Sequence, residues 1–180
     1  MSDEELLELY SNPETRRNAF NQLVRKYQQK VYWLVRKMVI DHDDADDITQ
    51  EVFIKAWKAL ERFRGDSQFY TWLYRIATNE SINFLNKKRR RFFVPIHDIE
   101  EELGDKLASD PLVSGDDIQL KLQKAILKLP DKQRLVFNLK YFEEMSYEDM
   151  AEVTGTSVGA LKASYHFASK KIEDYLNGTD

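Results

Sequence analysis

Apolar residues recur along most of this chain at three- and four-residue steps, the spacing that places them on one face of a helix. Phe20, Leu23, Val24, Tyr27, Val31, Leu34, Val35 and Met38 make the first such stripe. The run DHDDADD follows, and its carboxylates suit the start of a second helix, where free N–H groups and the positive dipole end favour anions. That helix carries Ile48, Val52, Phe53, Ala56, Trp57 and Leu60 on one side and Asp47, Gln50, Glu51 and Lys55 on the other. Phe63-Arg64-Gly65-Asp66-Ser67 reads as a loop, with Ser67 suited to cap a third helix from about Phe69 to Lys88.

Residues 92–117 break the pattern. Two prolines, two glycines and dense acid leave no sustained period, so this stretch reads as a linker, although Phe92, Phe93, Val94 and Ile96 at its start have the apolarity to dock. The helical period returns with Leu120, Leu122, Ala125, Ile126 and Leu129, stops at Pro130, and resumes from Gln133 to Phe142. Ser146, with Asp149 three residues on, nearly matches a capping box. Gly155 suits a left-handed helix end, and Thr156-Ser157 opens a last helix from Val158 to Leu176. No strand and no internal repeat is evident. The expected fold is all-α: two small helical domains, 1–91 and 118–180, joined by an acidic linker, 92–117.

Charge sharpens that division. The overall net charge is -4, a poor omen for a nucleic-acid binder. Yet residues 1–91 carry 17 Lys and Arg against 14 Asp and Glu, residues 92–117 carry 1 against 8, and residues 118–180 carry 9 against 9. The acidity belongs to the linker, and the folded halves are basic or neutral. Cysteine is absent, which removes disulfides and thiol chemistry. The acidic start lacks the features of a signal peptide, and no window approaches the ~20 apolar residues of a membrane span, so no membrane insertion and a cytoplasmic location are expected.

Chemistry concentrates in two places. Between Phe63 and Arg91, the aromatics Phe69, Tyr70, Trp72 and Tyr74 stand beside Asn79 and Asn83, and five consecutive basic residues, Lys87 to Arg91, close the segment. Aromatic faces stack on unpaired bases, amides read base edges, and cations neutralise phosphates. Helical spacing also makes part of this cluster core: Phe69 pairs with Leu73, and Trp72 with Ile76. The second place is Ser146 to Lys171, a short helix, a glycine turn and a longer helix, the layout of a helix-turn-helix. It leaves Thr156, Ser157, Lys162, Ser164 and His166 toward the outer surface, where hydroxyls and a cation meet phosphate or guanine. The aspartate run lacks the alternation and glycine of a calcium loop, and His42, His97 and His166 form no ligand pair. With no phosphate-cradling loop and no nucleophile elbow, neither an enzyme nor a cofactor or small-molecule substrate is expected.

Two blocks carry a resemblance. DADDITQEVFIKAWKALERFRGDSQFYTWLYRIATNESINFL resembles the second conserved region of the extracytoplasmic-function (ECF) sigma factors of bacterial RNA polymerase, and LPDKQRLVFNLKYFEEMSYEDMAEVTGTSVGALKASYHFASKKI resembles their fourth. The resemblance implies that Asp47, Gln50, Glu51 and Lys55 face core RNA polymerase. It implies that Arg64, Ser67, Tyr70, Trp72, Asn79, Asn83, Lys87, Lys88, Arg89 and Arg90 lie along the melted strand of a promoter's -10 element. Arg134, Thr156, Ser157, Lys162, Ser164 and His166 are then expected at the -35 duplex. It further implies a linker that threads polymerase's RNA channel, with its acids imitating RNA, and an anti-sigma factor as regulator. A stand-alone helix-turn-helix regulator is the competing reading, but such proteins usually dimerise and no heptad seam is present. A helical enzyme or scaffold would need a clustered polar site.

The sequence departs in one respect from the family it resembles. Many members carry several arginines through the recognition helix, whereas here Ala163, Ser164, Phe167 and Ser169 leave only Lys162 before Lys170. Few cations mean a small phosphate contribution, so specificity should arise mainly when polymerase holds both halves on DNA. Residues 118–180 alone are predicted to bind -35 duplex weakly at physiological salt; nanomolar affinity in a fluorescence anisotropy titration refutes this.

Overall fold

The computed structural model describes residues 1–92, 96–110 and 116–178, and every regular element among them is helical. The elements run α1 (Asp3–Ser11), α2 (Arg16–Val39), α3 (His42–Ala59) with a 3-10 turn at Leu60–Arg62, α4 (Phe69–Phe92), α5 (Ile96–Ala108), α6 (Asp117–Leu127), α7 (Asp131–Tyr141), α8 (Tyr147–Thr154) and α9 (Val158–Leu176).

The caps explain most of the boundaries. Asp41 accepts the Asp44 N–H at 3.0 Å and starts α3, so one acid of the aspartate run is a cap and the others lie along the first turns. Ser146 accepts the Asp149 N–H at 3.1 Å to open α8, and Gly155, at φ 69°, closes it in the left-handed conformation. Ser157 then opens α9 by accepting the Ala160 N–H at 3.3 Å. α7 begins at Asp131, immediately after Pro130, slightly earlier than the sequence pattern indicates.

Two elements were not legible in the periodicity. α1 is nine residues long and is fixed by a full capping box between Ser2 and Glu5, with Leu6 and Tyr10 buried against its neighbours. The expected irregular linker contains α5, which packs on α6 and buries Leu103 and Leu107 against Ile40 and Leu127. Amphipathicity over so few turns is weak evidence in a segment rich in acid and glycine. Phe93 and Val94 lie outside the described residues, as do the side chains of Phe92 and Ile96.

α2, α3 and α4 form a bundle whose interior holds Leu23, Val31, Leu34, Val35, Val52 and Leu73, all essentially inaccessible to solvent. α6 to α9 form the second group, with Ile126, Leu129, Phe137, Ala168 and Ile172 in its own core. The two groups do not stand apart. α8 packs along α4, and α7 against α2. Leu135, Leu139, Met150, Val153 and Leu161 belong to one continuous apolar cluster with the bundle's Leu73 and Met38. Fully burying side chains of this size contributes about 1.5–3 kcal/mol each.

The turn from α2 into α3 is strained. Ile40, a β-branched residue, sits at φ 69°, a conformation that costs about 1–3 kcal/mol. Burial of its side chain under α5 and α6 and a hydrogen bond from Arg36 to its carbonyl oppose that cost. Asp41, next in sequence, accepts from Lys106 of α5 at 2.9 Å as well as capping α3. The cap hydrogen bond from Asp44, followed by Lys106, holds its carboxyl below the usual range. A depressed pKa gives stability that is present above the unfolded value and is lost as pH falls through the folded one. Asp41→Ala is therefore expected to cost about 1 kcal/mol at neutral pH. The difference from the parent should shrink below about pH 4, as read by urea unfolding at two pH values.

Candidate nucleic-acid interface

The loop after α3 and the first turns of α4 enclose an open pocket of about 430 Å³. Its walls include Arg62, Arg64, Ser67, Trp72, Arg75 and Glu152. Gly65 turns the loop at φ 75°, a conformation that favours glycine. Phe63 and Trp72 line it with ring centroids 5.2 Å apart, and the buried Phe69 packs behind Trp72 at 5.7 Å. Phe69 and Leu73 are buried, so that side of the aromatic cluster is core; Tyr70 and Trp72 are half-buried. Tyr74 is buried too, which removes it from the surface.

Beyond the pocket, Arg75, Asn79 and Asn83 follow at four-residue steps along an exposed stripe of α4, continuing to Lys87 and Arg90. Three guanidinium groups, an indole and two amides thus share one continuous surface, with the chemistry to hold a strand whose bases are unpaired. Lys88 and Arg89 are half-buried, and Arg89 is ion-paired to Asp131 at the start of α7.

On α3, Asp47, Gln50 and Glu51 are exposed and lie opposite the buried Ala45, Ile48 and Val52. Ile54 and Trp57 are exposed on the same helix at 49% and 39%, so this surface offers both polar and apolar contact. Lys55 is tied to Glu80 of α4, and that hydrogen bond raises its pKa.

In the second group, Thr156, Ser157, Lys162 and His166 are exposed at the start and along the outer side of α9, and Ser164 is half-buried. The Ser157 hydroxyl oxygen is engaged as a cap. The Lys162 ammonium lies 5.7 Å from the Tyr147 ring centroid. Arg134 is not part of this surface. It is 3% exposed and donates to the carbonyl of Met38 at 2.9 Å, across the boundary between the two groups. In this arrangement it faces α2 and lies away from the expected duplex side.

Across the same boundary lie pairings that sequence reasoning did not single out. Tyr70 donates to Asp149 of α8. Burial first, then this hydrogen bond, pushes the Tyr70 hydroxyl up to about 12. Tyr74 is raised still more by burial and by Glu143. Glu143 also pairs with Lys37 at 3.7 Å. Burial lowers the Lys37 pKa while Glu143 opposes the shift. Partners 79 residues apart, such as Tyr70 and Asp149, leave no local signal.

Comparison with known proteins settles the family. Residues 23–91 match the profile of Sigma-70 region 2, and residues 119–172 match that of Sigma-70 region 4. The RNA polymerase sigma-H factor of Pseudomonas aeruginosa is 38% identical, covering 97% of this chain and 93% of the relative. The ECF RNA polymerase sigma-E factor of Escherichia coli is 37% identical, covering 87% and 85%. The chain belongs to the ECF sigma factors. Its fold agrees with solved members of that group. CnrH, in complex with the cytosolic domain of CnrY, superposes with a TM-score of 0.72 at 26% identity, covering 99% of each chain. The sigma factor RpoE of Bartonella quintana, in complex with the anti-sigma factor NepR, gives 0.69 at 25% identity, covering 88% of this chain and 96% of that one. In this sigma factor the α4 stripe and all of the pocket's named walls except Glu152 lie in region 2, and α8–α9 is the helix-turn-helix of region 4.

Arg134 caps α2 from the far side of the sigma factor, so its removal leaves a carbonyl at a helix end without that donor. Arg134→Ala is predicted to destabilise the chain by about 1–3 kcal/mol. Arg134→Lys should restore little, because an ammonium cannot reproduce the planar donor set. Thermal unfolding followed by circular dichroism checks both.

Proposed function

We propose that this chain directs core RNA polymerase to specific promoters and opens the -10 element, with α3 as the polymerase contact and the loop–α4 surface as the strand holder. The observation that carries the reading is the joint surface of Arg62, Arg64, Trp72, Arg75, Asn79 and Asn83 around and beyond a base-sized pocket. A nucleotide flipped from the stack costs a few kcal/mol of unstacking. Stacking against aromatic side chains returns about 1–3 kcal/mol per base. Opening by capture thus needs no nucleotide hydrolysis, and the chain itself performs no covalent chemistry. Polymerase supplies catalysis; this subunit supplies base recognition.

Asp47, Gln50 and Glu51 fit the polymerase contact because they are exposed, regularly spaced and unengaged by caps. Lys55 fits better as a brace between α3 and α4. Thr156, Lys162 and His166 fit a -35 duplex contact at the start of the recognition helix, with Ser164 at its margin. Lys87, Lys88, Arg89 and Arg90 extend the phosphate track of α4, although Arg89 must first leave Asp131. Partnership with polymerase supports a cytoplasmic location, and no described helix is long and apolar enough to cross a membrane. An anti-sigma factor is the expected regulator.

Run-off transcription with core polymerase on a promoter library tests the reading. The chain should yield promoter-dependent transcripts that core enzyme alone does not. Asn79→Ala, at an exposed position, should lower strand opening about tenfold or more, the scale of one lost amide–base contact. Permanganate reactivity of unpaired thymines measures this, while capture of core enzyme should be unchanged. Asp47→Ala with Glu51→Ala should do the reverse, weakening capture first. Full transcription by both variants overturns the assignments.

A further inference from the structure

α9 carries an aromatic ring that its own core does not hold. Phe167 is 57% exposed, and its ring meets that of His166 edge-on, with centroids 5.9 Å apart. The buried side of the helix is made by Leu161, Ala168 and Ile172. Ala160, Ala163 and Phe167, all exposed, follow at three- and four-residue steps along one flank of the outer side. Lys162 and His166, four residues apart and also exposed, form the other flank. The outer side of α9 is thus apolar along one edge and polar along the other. Lys162 is the only lysine or arginine between Val158 and Ser169.

A single exposed apolar side chain on a protein surface is ordinary. Phe167 differs by its position. It lies on the second helix of the helix-turn-helix, the helix that such a motif places in the major groove. In that groove only thymine presents a methyl group, and the other three bases present hydrogen-bonding atoms alone. We propose that Phe167, with the Ala163 methyl one turn before it, is a specificity-determining contact for thymine in the -35 element, read through the base's 5-methyl group. The proposal rests on the reading of α9 as the -35 contact. Packing the ring on a methyl group removes apolar area from water on both sides. Set against a G·C pair, the same ring covers a guanine carbonyl or a cytosine amine and offers it no hydrogen bond, which costs the full desolvation of that group. The contact therefore selects by attraction and by exclusion together. It also needs no charge. With Lys162 the one cation on this stretch of helix, phosphate attraction is small, and an apolar contact supplies a preference that salt does not screen.

Holoenzyme assembled from the full chain and core polymerase tests this on a promoter library randomised through the -35 element. The parent should select thymine at one or more positions. Deoxyuridine in place of such a thymine removes the 5-methyl group and keeps every hydrogen-bonding atom. Promoter occupancy by the parent should then fall about fourfold at the position Phe167 covers, the scale of one buried methyl group. Phe167→Ala should occupy the two templates equally. Phe167→Arg is the second variant and should move the preference at that position from thymine to guanine, whose O6 and N7 accept from a guanidinium. A gained preference cannot come from a misfolded chain. Indifference of the parent to deoxyuridine at every -35 thymine overturns the proposal, as does a parent that selects other bases and no thymine, or the same methyl dependence in Phe167→Ala. Loss of core-enzyme capture by Phe167→Ala makes the ring a polymerase contact and overturns it too. Promoter-dependent transcription by the parent with no preference anywhere in the -35 element overturns instead the reading of α9 on which the proposal rests.

Discussion

The C-terminal end of α2 is the joint on which this molecule depends. A helix ends with carbonyls that have no partner in the helix. Here Met38 is served by Arg134 of α7, and the Ile40 carbonyl just beyond by Arg36, whose guanidinium also reaches Asp110 after α5. A cation at that end suits the negative pole of the helix as well. The strained Ile40 sits at the same point, buried under α5 and α6. Region 2, the linker helix and region 4 therefore meet at one helix end, and the packing of α8 on α4 follows from a placement that this joint helps to fix.

That joint gives the interface a mixed character. Leu139, Met150 and Leu161 join the apolar cluster of the α2–α4 bundle, which supplies most of the attraction. The polar contacts around it, Tyr70 with Asp149, Lys37 with Glu143 and Arg89 with Asp131, add geometry more than energy. Partly exposed ion pairs of this kind contribute modestly and weaken with salt. The polar seam specifies one arrangement of the two halves.

Much of the fold could be read in advance. Periodicity located α2, α3, α4, α6, α7 and α9, and cap chemistry at Ser146, Gly155 and Ser157 bounded α8 and the start of α9. α1 was missed because nine residues hold too few turns for a period to stand out, even though Ser2 and Glu5 form a capping box. α5 was missed because acid and glycine mask its apolar positions, of which Leu103 and Leu107 are buried only by virtue of Ile40 and Leu127. In the candidate site, the division of the aromatics into core and surface was legible from spacing at Phe69 and Leu73. The burial of Tyr74 and Arg134 was not, because both depend on the other half of the chain.

Local physical chemistry made this chain helical, two-part and basic at the end of α4: side-chain period, caps, charge segregation and the aromatic–amide–arginine combination are all properties of neighbours in sequence. The packing of one half on the other belongs to another level. Whether Asp149 is merely a first-turn acid or the partner of Tyr70, and whether Arg134 faces duplex or the end of α2, depends on which surfaces meet across 79 and 96 residues. Such pairings are selected by the summed burial of two apolar faces and the polar atoms that must be satisfied at their edge, and no window of sequence contains that sum.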